Sequence, residues 1–170
     1  MVKEKDPKRQ LQGAISKAKG RVFEDRLDTS FEYYKRRGFA VIEKTPEPMR
    51  PTASLGNGKF VAYFEKQAQP DYKGTIKGGR TVIFEAKFTS TDRMEQSRVL
   101  QSQAEYMSLL QQLGARCFVL AGFSSGCVYC IPWLVWSAMK ETYGRKYVTE
   151  KDLTEFIVQT AWNGTLLLLG

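Results

Sequence analysis

Apolar residues recur at helical spacing near the start of the chain: Phe23, Leu27, Phe31 and Tyr34 come at intervals of four, four and three. The pattern predicts an amphipathic helix from about Ala14 to Arg37, stopped by Gly38. Glu24 borders its apolar face. Phe39 to Glu43 then reads as a strand. Pro46, Pro48 and Pro51 exclude helix and central strand from the next segment, Gly56-Asn57-Gly58 predicts a turn, and Phe60 to Phe64 returns as a strand. Residues 46–66 are therefore expected to project as a loop or ribbon rather than enter the core. Residues 71–88 predict a hairpin turning at Lys77-Gly78-Gly79. A second helix is expected over Gln96 to Leu113, with Leu100, Ala104, Met107, Leu110 and the polar Gln103 facing inward and Gly114 at its end. Ala115 to Phe123 and Gly126 to Ile131 predict strands, and Trp133 to Met139 a helix after Pro132. From Thr149 onward a capped helix and a final apolar strand are expected. Helices interleaved with strands imply an α/β fold, a mixed β-sheet flanked by helices. Residues 1–13 are polar and aperiodic, which predicts a flexible basic tail ahead of a single domain at 14–170.

The hairpin carries the candidate chemistry. Side chains alternate along a strand, so Thr81, Ile83, Glu85 and Lys87 share one face while Val82, Phe84, Ala86 and Phe88 share the other. With a three-residue loop, Ile76 pairs with Arg80. Partner numbers in an antiparallel ladder keep a constant sum, which sets Asp71 across from Glu85. A two-residue loop would shift the register by one and turn the aspartate away. Two facing carboxylates repel and raise one pKa unless a cation lies between them. Mg²⁺ suits such a pair, since it takes hard oxygen ligands from one or two carboxylates and completes its shell with water and phosphate. Lys87 could then neutralise charge on phosphoryl oxygens or position a water. An isolated Glu-x-Lys pair on a strand is commonly an exposed ion pair. Asp71 in register, together with Glu24 and Gln103 beside core-facing stripes, favours a site.

Charge narrows the substrate. Lys and Arg total 26 against 18 acidic residues, for a formal charge of +8 and a pI near 9.4, which favours a polyanion such as nucleic acid, with an anionic membrane surface as the competitor. Lys3, Lys5, Lys8 and Arg9 could add phosphate contacts from the tail. The apolar runs Ile131 to Val135 and Leu166 to Leu169 fall far short of the roughly 20 residues that cross a bilayer. The first residues lack the apolar stretch of a secretory signal, so a cytoplasmic location is expected. There is no histidine and there are three cysteines, which cannot complete a four-ligand zinc site of N and S donors. Cys127 and Cys130 form a CxxC in a strand-like run, where buried structural thiols are expected ahead of a redox pair.

Pro70-Asp71 followed by Glu85-Ala86-Lys87 resembles the PD-(D/E)xK nuclease signature. The surrounding segments resemble the RecU-type Holliday junction resolvases: Gly20 to Glu24, Val41 to Pro48, Ala62 to Phe64, Asp71 to Gly74, Phe84 to Lys87, Gln103, and Gly114 to Leu120. The resemblance implies a restriction-endonuclease-like fold and a homodimer that cuts four-way junction DNA with Mg²⁺, Mn²⁺ being able to substitute. It implies that Asp71 and Glu85 hold metal with Glu24 as a further acidic member, that Lys87 acts on the attacking water, and that Gln103 supports the site. Residues 46–66 would be the stalk that enters the junction. Candidate phosphate contacts are Lys19, Arg21, Lys44, Lys73 and Arg80, and a recombinase partner and a nucleoid-associated location would accompany that role. Gln69 stands where the family usually has a hydroxyl residue, Ser102 where a histidine is common, and the stalk segment is shorter than usual. The alternatives are a related nuclease acting on duplex or flap DNA, and a junction-binding module without catalysis.

Overall fold

The structure is a computed structural model that describes residues 7–46, 49–64 and 69–169. Its centre is a five-stranded sheet in the order β1 (Ala40–Lys44), β4 (Tyr72–Ile76), β5 (Thr81–Thr89), β7 (Arg116–Phe123) and β8 (Val128–Pro132). The β5–β7 pair is parallel and the others are antiparallel. A parallel pair needs a crossover, and helix α2 (Gln101–Gln112) supplies it. The sheet is thus mixed and flanked by helices, the α/β architecture expected.

Both faces of the sheet are covered. On one side α1 (Pro7–Arg36) lays Phe23, Leu27, Phe31 and Tyr34 against Tyr72, Val82, Phe84, Phe118 and Leu120, joined by Leu166 and Leu168 of the C-terminal segment. The stacked rings of Tyr72, Phe84 and Phe118, with centroids 5.0 and 4.7 Å apart, run across three adjacent strands beneath that helix. On the other side α2, α3 (Trp133–Ser137), α4 (Met139–Tyr143) and a small sheet of β6 (Arg93–Glu95) and β9 (Tyr147–Thr149) enclose Ile83, Met94, Met107, Val119 and Trp136. The two faces of β5 divide as period two requires, Ile83 entering one core and Val82 and Phe84 the other.

Several boundaries differ from the sequence reading. The first helix begins at Pro7, so residues 7–13 are helical rather than a tail. Proline is well suited to a first helical position. Leu11 in this stretch and Ile15 just after it are exposed, so no buried face marks it in the sequence. Lys3 and Lys5 lie outside the described residues, as do the side chains of Lys8 and Arg9. The second helix divides into a 3₁₀ turn, Gln96–Arg98, and α2, because Val99 and Leu100 are extended; Leu100 consequently faces solvent. The third helix divides at Ala138. The last apolar run, Leu166 to Leu169, forms only an isolated bridge from Leu166 to Thr160 rather than a strand, and the capped element before it is the 3₁₀ helix Glu150–Phe156.

Two further strands, β2 (Met49–Gly56) and β3 (Lys59–Phe64), pair only with each other among the described residues. Their turn has Gly56, Asn57 and Gly58 all in the left-handed region. Every described side chain of this ribbon is exposed. Pro51 is tolerated because the register shifts just after it and no strand lies beyond.

Candidate active site

The hairpin has the predicted register. Lys77-Gly78-Gly79 forms its loop, with φ of 96° and 86° at the glycines, and Ile76 donates its backbone N–H to Arg80 O. The ladder closes at Tyr72 opposite Phe84, which brings Asp71 beside Glu85. Each carboxylate then accepts a backbone N–H from the other side of the pair. Asp71 N–H donates to Glu85 Oε2 at 3.1 Å, and Ala86 N–H donates to Asp71 Oδ2 at 3.0 Å.

Glu85 is wholly buried, on the face toward α2. Its Oε1 accepts from the Lys87 ammonium and, at 2.8 Å, from Gln103 Nε2. The orientation of the Gln103 amide is fixed by its other end: Oε1 accepts the Leu100 N–H at the start of α2, 3.0 Å away, leaving Nε2 to reach Glu85 and the Gln69 carbonyl. A helix-capping bond thereby aims a donor at the carboxylate. Only the backbone oxygen of Gln69 takes part, so its side-chain identity does not enter this contact.

Burial, then the neighbouring Asp71 charge, push the Glu85 carboxyl up to about 7, and Lys87 partly opposes them. Lys87 Nζ also lies 3.6 Å from Asp71 Oδ2, so the two carboxylates already share one cation. The second Asp71 oxygen makes no hydrogen bond among the described residues. Two convergent hard-oxygen donors, one deeply buried and the other with an unengaged oxygen, fit a divalent ion such as Mg²⁺.

Glu24 does not join this pair. It lies on α1 with its carboxylate 2.7 Å from Lys44 Nζ, and among the described residues no group of three or more Asp, Glu, Cys or His is placed to hold a metal. It does border the same cavity as Lys87. Lys44 has its pKa raised by the Glu24 hydrogen bond, with Asp28 and Asp71 contributing charge, so it sits in the field of the site. Arg21 lines the cavity too. Lys73 stands opposite Ile83 and hence shares the face of Glu85 and Lys87. Lys19 and Arg80 do not converge on the pair. Lys19 lines a smaller hollow with Phe88 and Gly122. Arg80 lies five residues before Glu85, about 17 Å away along the strand, and donates to Gly114 O. Sequence reasoning missed Lys17 and Arg98, which border the Lys87 cavity; a Lys17-Arg21 spacing of four was the available signal for the first.

The three cysteines are free thiols. Burial pushes Cys117 and Cys130 up to about 11, leaving them protonated and inert near neutrality. No helix among the described residues is long and apolar enough to cross a membrane.

The family model described as Recombination protein U matches residues 18–168. A Holliday junction resolvase RecU of Bacillus pumilus (strain SAFR-032) is 32% identical over 160 residues, which cover 87% of this chain and 76% of the relative. One of Streptococcus gordonii is 36% identical over 116 residues, 63% of this chain and 56% of the relative. The chain thus matches about three quarters of one relative's length and little more than half of the other's. Among solved structures, that of Archaeoglobus fulgidus Hjc, a Holliday junction resolvase, aligns with a TM-score of 0.47 at 12% identity over 86% of this chain and 94% of that one.

Proposed function

The chain belongs to the RecU family, and from that membership we propose that it is a metal-dependent endonuclease that resolves four-way DNA junctions by symmetric nicks. The observation that carries the reading is the convergence of Asp71, Glu85, Lys87 and Gln103 at the end of one hairpin. The relatives named Holliday junction resolvase support the substrate. The +8 charge suits a polyanion.

Asp71 and Glu85 would hold Mg²⁺ or Mn²⁺, which when bound supplies Lewis-acid polarisation of the scissile phosphate and a more acidic water. The residues of the chain do the rest. Gln103 keeps Glu85 Oε1 pointed at the site. Asp71 is held by the Ala86 N–H, so both carboxylates are positioned before substrate arrives. Lys87 presents an ammonium to the phosphoryl oxygens, where negative charge grows as water attacks phosphorus and the 3′ oxygen departs. The products are a 5′-phosphate and a 3′-hydroxyl. A homodimer with two such sites about a two-fold axis matches the symmetry of a four-way junction, and a recombinase would be its partner in the cell.

Full-length protein incubated with a mobile four-way junction and with linear duplex at equal salt tests this. Cutting is expected on the junction in Mg²⁺ and not in EDTA. Asp71→Asn should abolish it while junction binding in Ca²⁺ persists, and Lys87→Ala should slow it about 10²–10³-fold. Junction binding without nicking in either Mg²⁺ or Mn²⁺ would reduce the protein to a binding module, and equal cutting of duplex would remove the junction from the proposal.

A further inference from the structure

Beside the carboxylate pair lies a cavity of about 610 Å³ between α1 and β5, bordered by Lys17, Gly20, Arg21, Glu24, Lys87 and Arg98. We infer that it seats the sugar-phosphate backbone of a single DNA strand next to the scissile bond, with Lys17 and Arg98 as phosphate-positioning residues. The inference rests on the nuclease reading for what happens at Lys87, but the anion site itself is argued from charge and shape.

Charge comes first. Lys17 and Arg21 stand four apart on one face of α1, where like charges repel. Neither they nor Arg98 makes an ion pair or hydrogen bond among the described residues. Glu24, the acidic side chain on the same rim, is engaged by Lys44, and the Lys87 ammonium is already shared by Asp71 and Glu85. Three cations therefore surround one concavity with their charge uncompensated, a cost that a phosphate removes and a neutral ligand does not.

Shape limits the occupant. A compact space of 610 Å³ is roughly 8–9 Å across, about two or three nucleotide steps of 3.4 Å along one strand. The major groove of a duplex alone is about 12 Å wide, wider than the hollow, which therefore suits the backbone of one strand. Gly20 lines the hollow, and a Cβ built there meets nothing within 4 Å, so α1 leaves room for a backbone to approach. The third wall is the Lys87 edge of β5. A phosphate held between Lys17 and Arg98 would set its neighbour on the Lys87 side of the hollow, which lays the strand beside the carboxylates.

The test uses full-length protein and a synthetic four-way junction in two assays. In EDTA, log affinity against log salt should lose about one unit of slope in each of Lys17→Ala and Arg98→Ala, and about two in the double variant. In Mg²⁺, single-turnover cutting should fall about tenfold in each, and Arg98→Lys should recover most of its loss because it restores the charge. Gly20→Leu should cut at least about tenfold more slowly while melting no lower than the parent, since leucine intrudes on the backbone path at that wall and favours helix. Parental salt slopes in both alanine variants would overturn the inference, as would parental cutting by Gly20→Leu. A parent that binds junction but never cuts would defeat the nuclease reading alone, because the salt slopes still decide whether Lys17 and Arg98 hold phosphate.

Discussion

Glu85 shows what a single buried carboxylate does to the stability of this chain. Its ordinary value of 4.5 rises to about 7 in the folded protein because burial and the Asp71 charge both disfavour ionisation. The folded state therefore binds this proton more tightly than the unfolded state. The resulting stabilisation is fully present below about pH 4.5 and is lost as the pH rises through 7. Without metal, the parent should lose about 2–4 kcal/mol more than Glu85→Gln between pH 4.5 and about pH 8. Urea unfolding of both proteins at several pH values measures the difference, and parallel profiles would mean that Lys87 already keeps Glu85 ionised. Adding Mg²⁺ at about pH 8 should return stability to the parent in proportion to occupancy.

At the scale of elements, the β4–β5 hairpin decides whether a site exists, and its geometry was legible because it is local. Two glycines permit the three-residue loop, the loop sets the register, and the register brings Asp71 to Glu85. The other side of β4 is as constrained. A Cβ on Gly74 would lie 2.2 Å from Val41 O and 2.8 Å from Ile42 Cα, both backbone atoms of β1. Gly74→Ala must push β1 away, at about 1–3 kcal/mol. It should also loosen the 2.8 Å bond from Thr45 N–H to Asp71 O at the site end of that strand pair. Chemical unfolding together with a cutting assay at a temperature where the variant is folded should show both losses; an undiminished midpoint would mean the strands part freely. What the sequence hid is non-local or unpatterned. Among the described side chains the early turns of α1, from Gln10 to Ile15, bury nothing, so no period announces them. The break at Val99 and Leu100 exists because Val99 turns into the core and the Leu100 N–H is taken by Gln103. Strands β6 and β9 are three residues each and meet across more than fifty positions of sequence, which no local propensity reports.

Across the whole molecule, two cores fill the two faces of one sheet, the hairpin end and α1 frame the cleft, and the β2–β3 ribbon belongs to neither core. Met49, Leu55, Phe60, Val61 and Tyr63 are each about half or more exposed on that ribbon. Apolar side chains grouped on an element with no buried residue among its described side chains point to a surface used against another molecule. If the ribbon enters the junction as the family's stalk does, stability and selectivity should separate on its removal. Replacing residues 50–63 with a short Gly-Ser turn should leave the urea midpoint unchanged, because no buried side chain is lost, and should leave the carboxylate pair competent to cut. Preference for a four-way junction over linear duplex, measured as the ratio of single-turnover rates at equal salt, should fall at least about tenfold, the equivalent of one lost contact of ordinary strength. A large drop in the midpoint would mean that the ribbon packs on the domain after all. An unchanged preference would instead place junction selectivity outside the ribbon, as two sites about a two-fold axis would if the proposed homodimer forms.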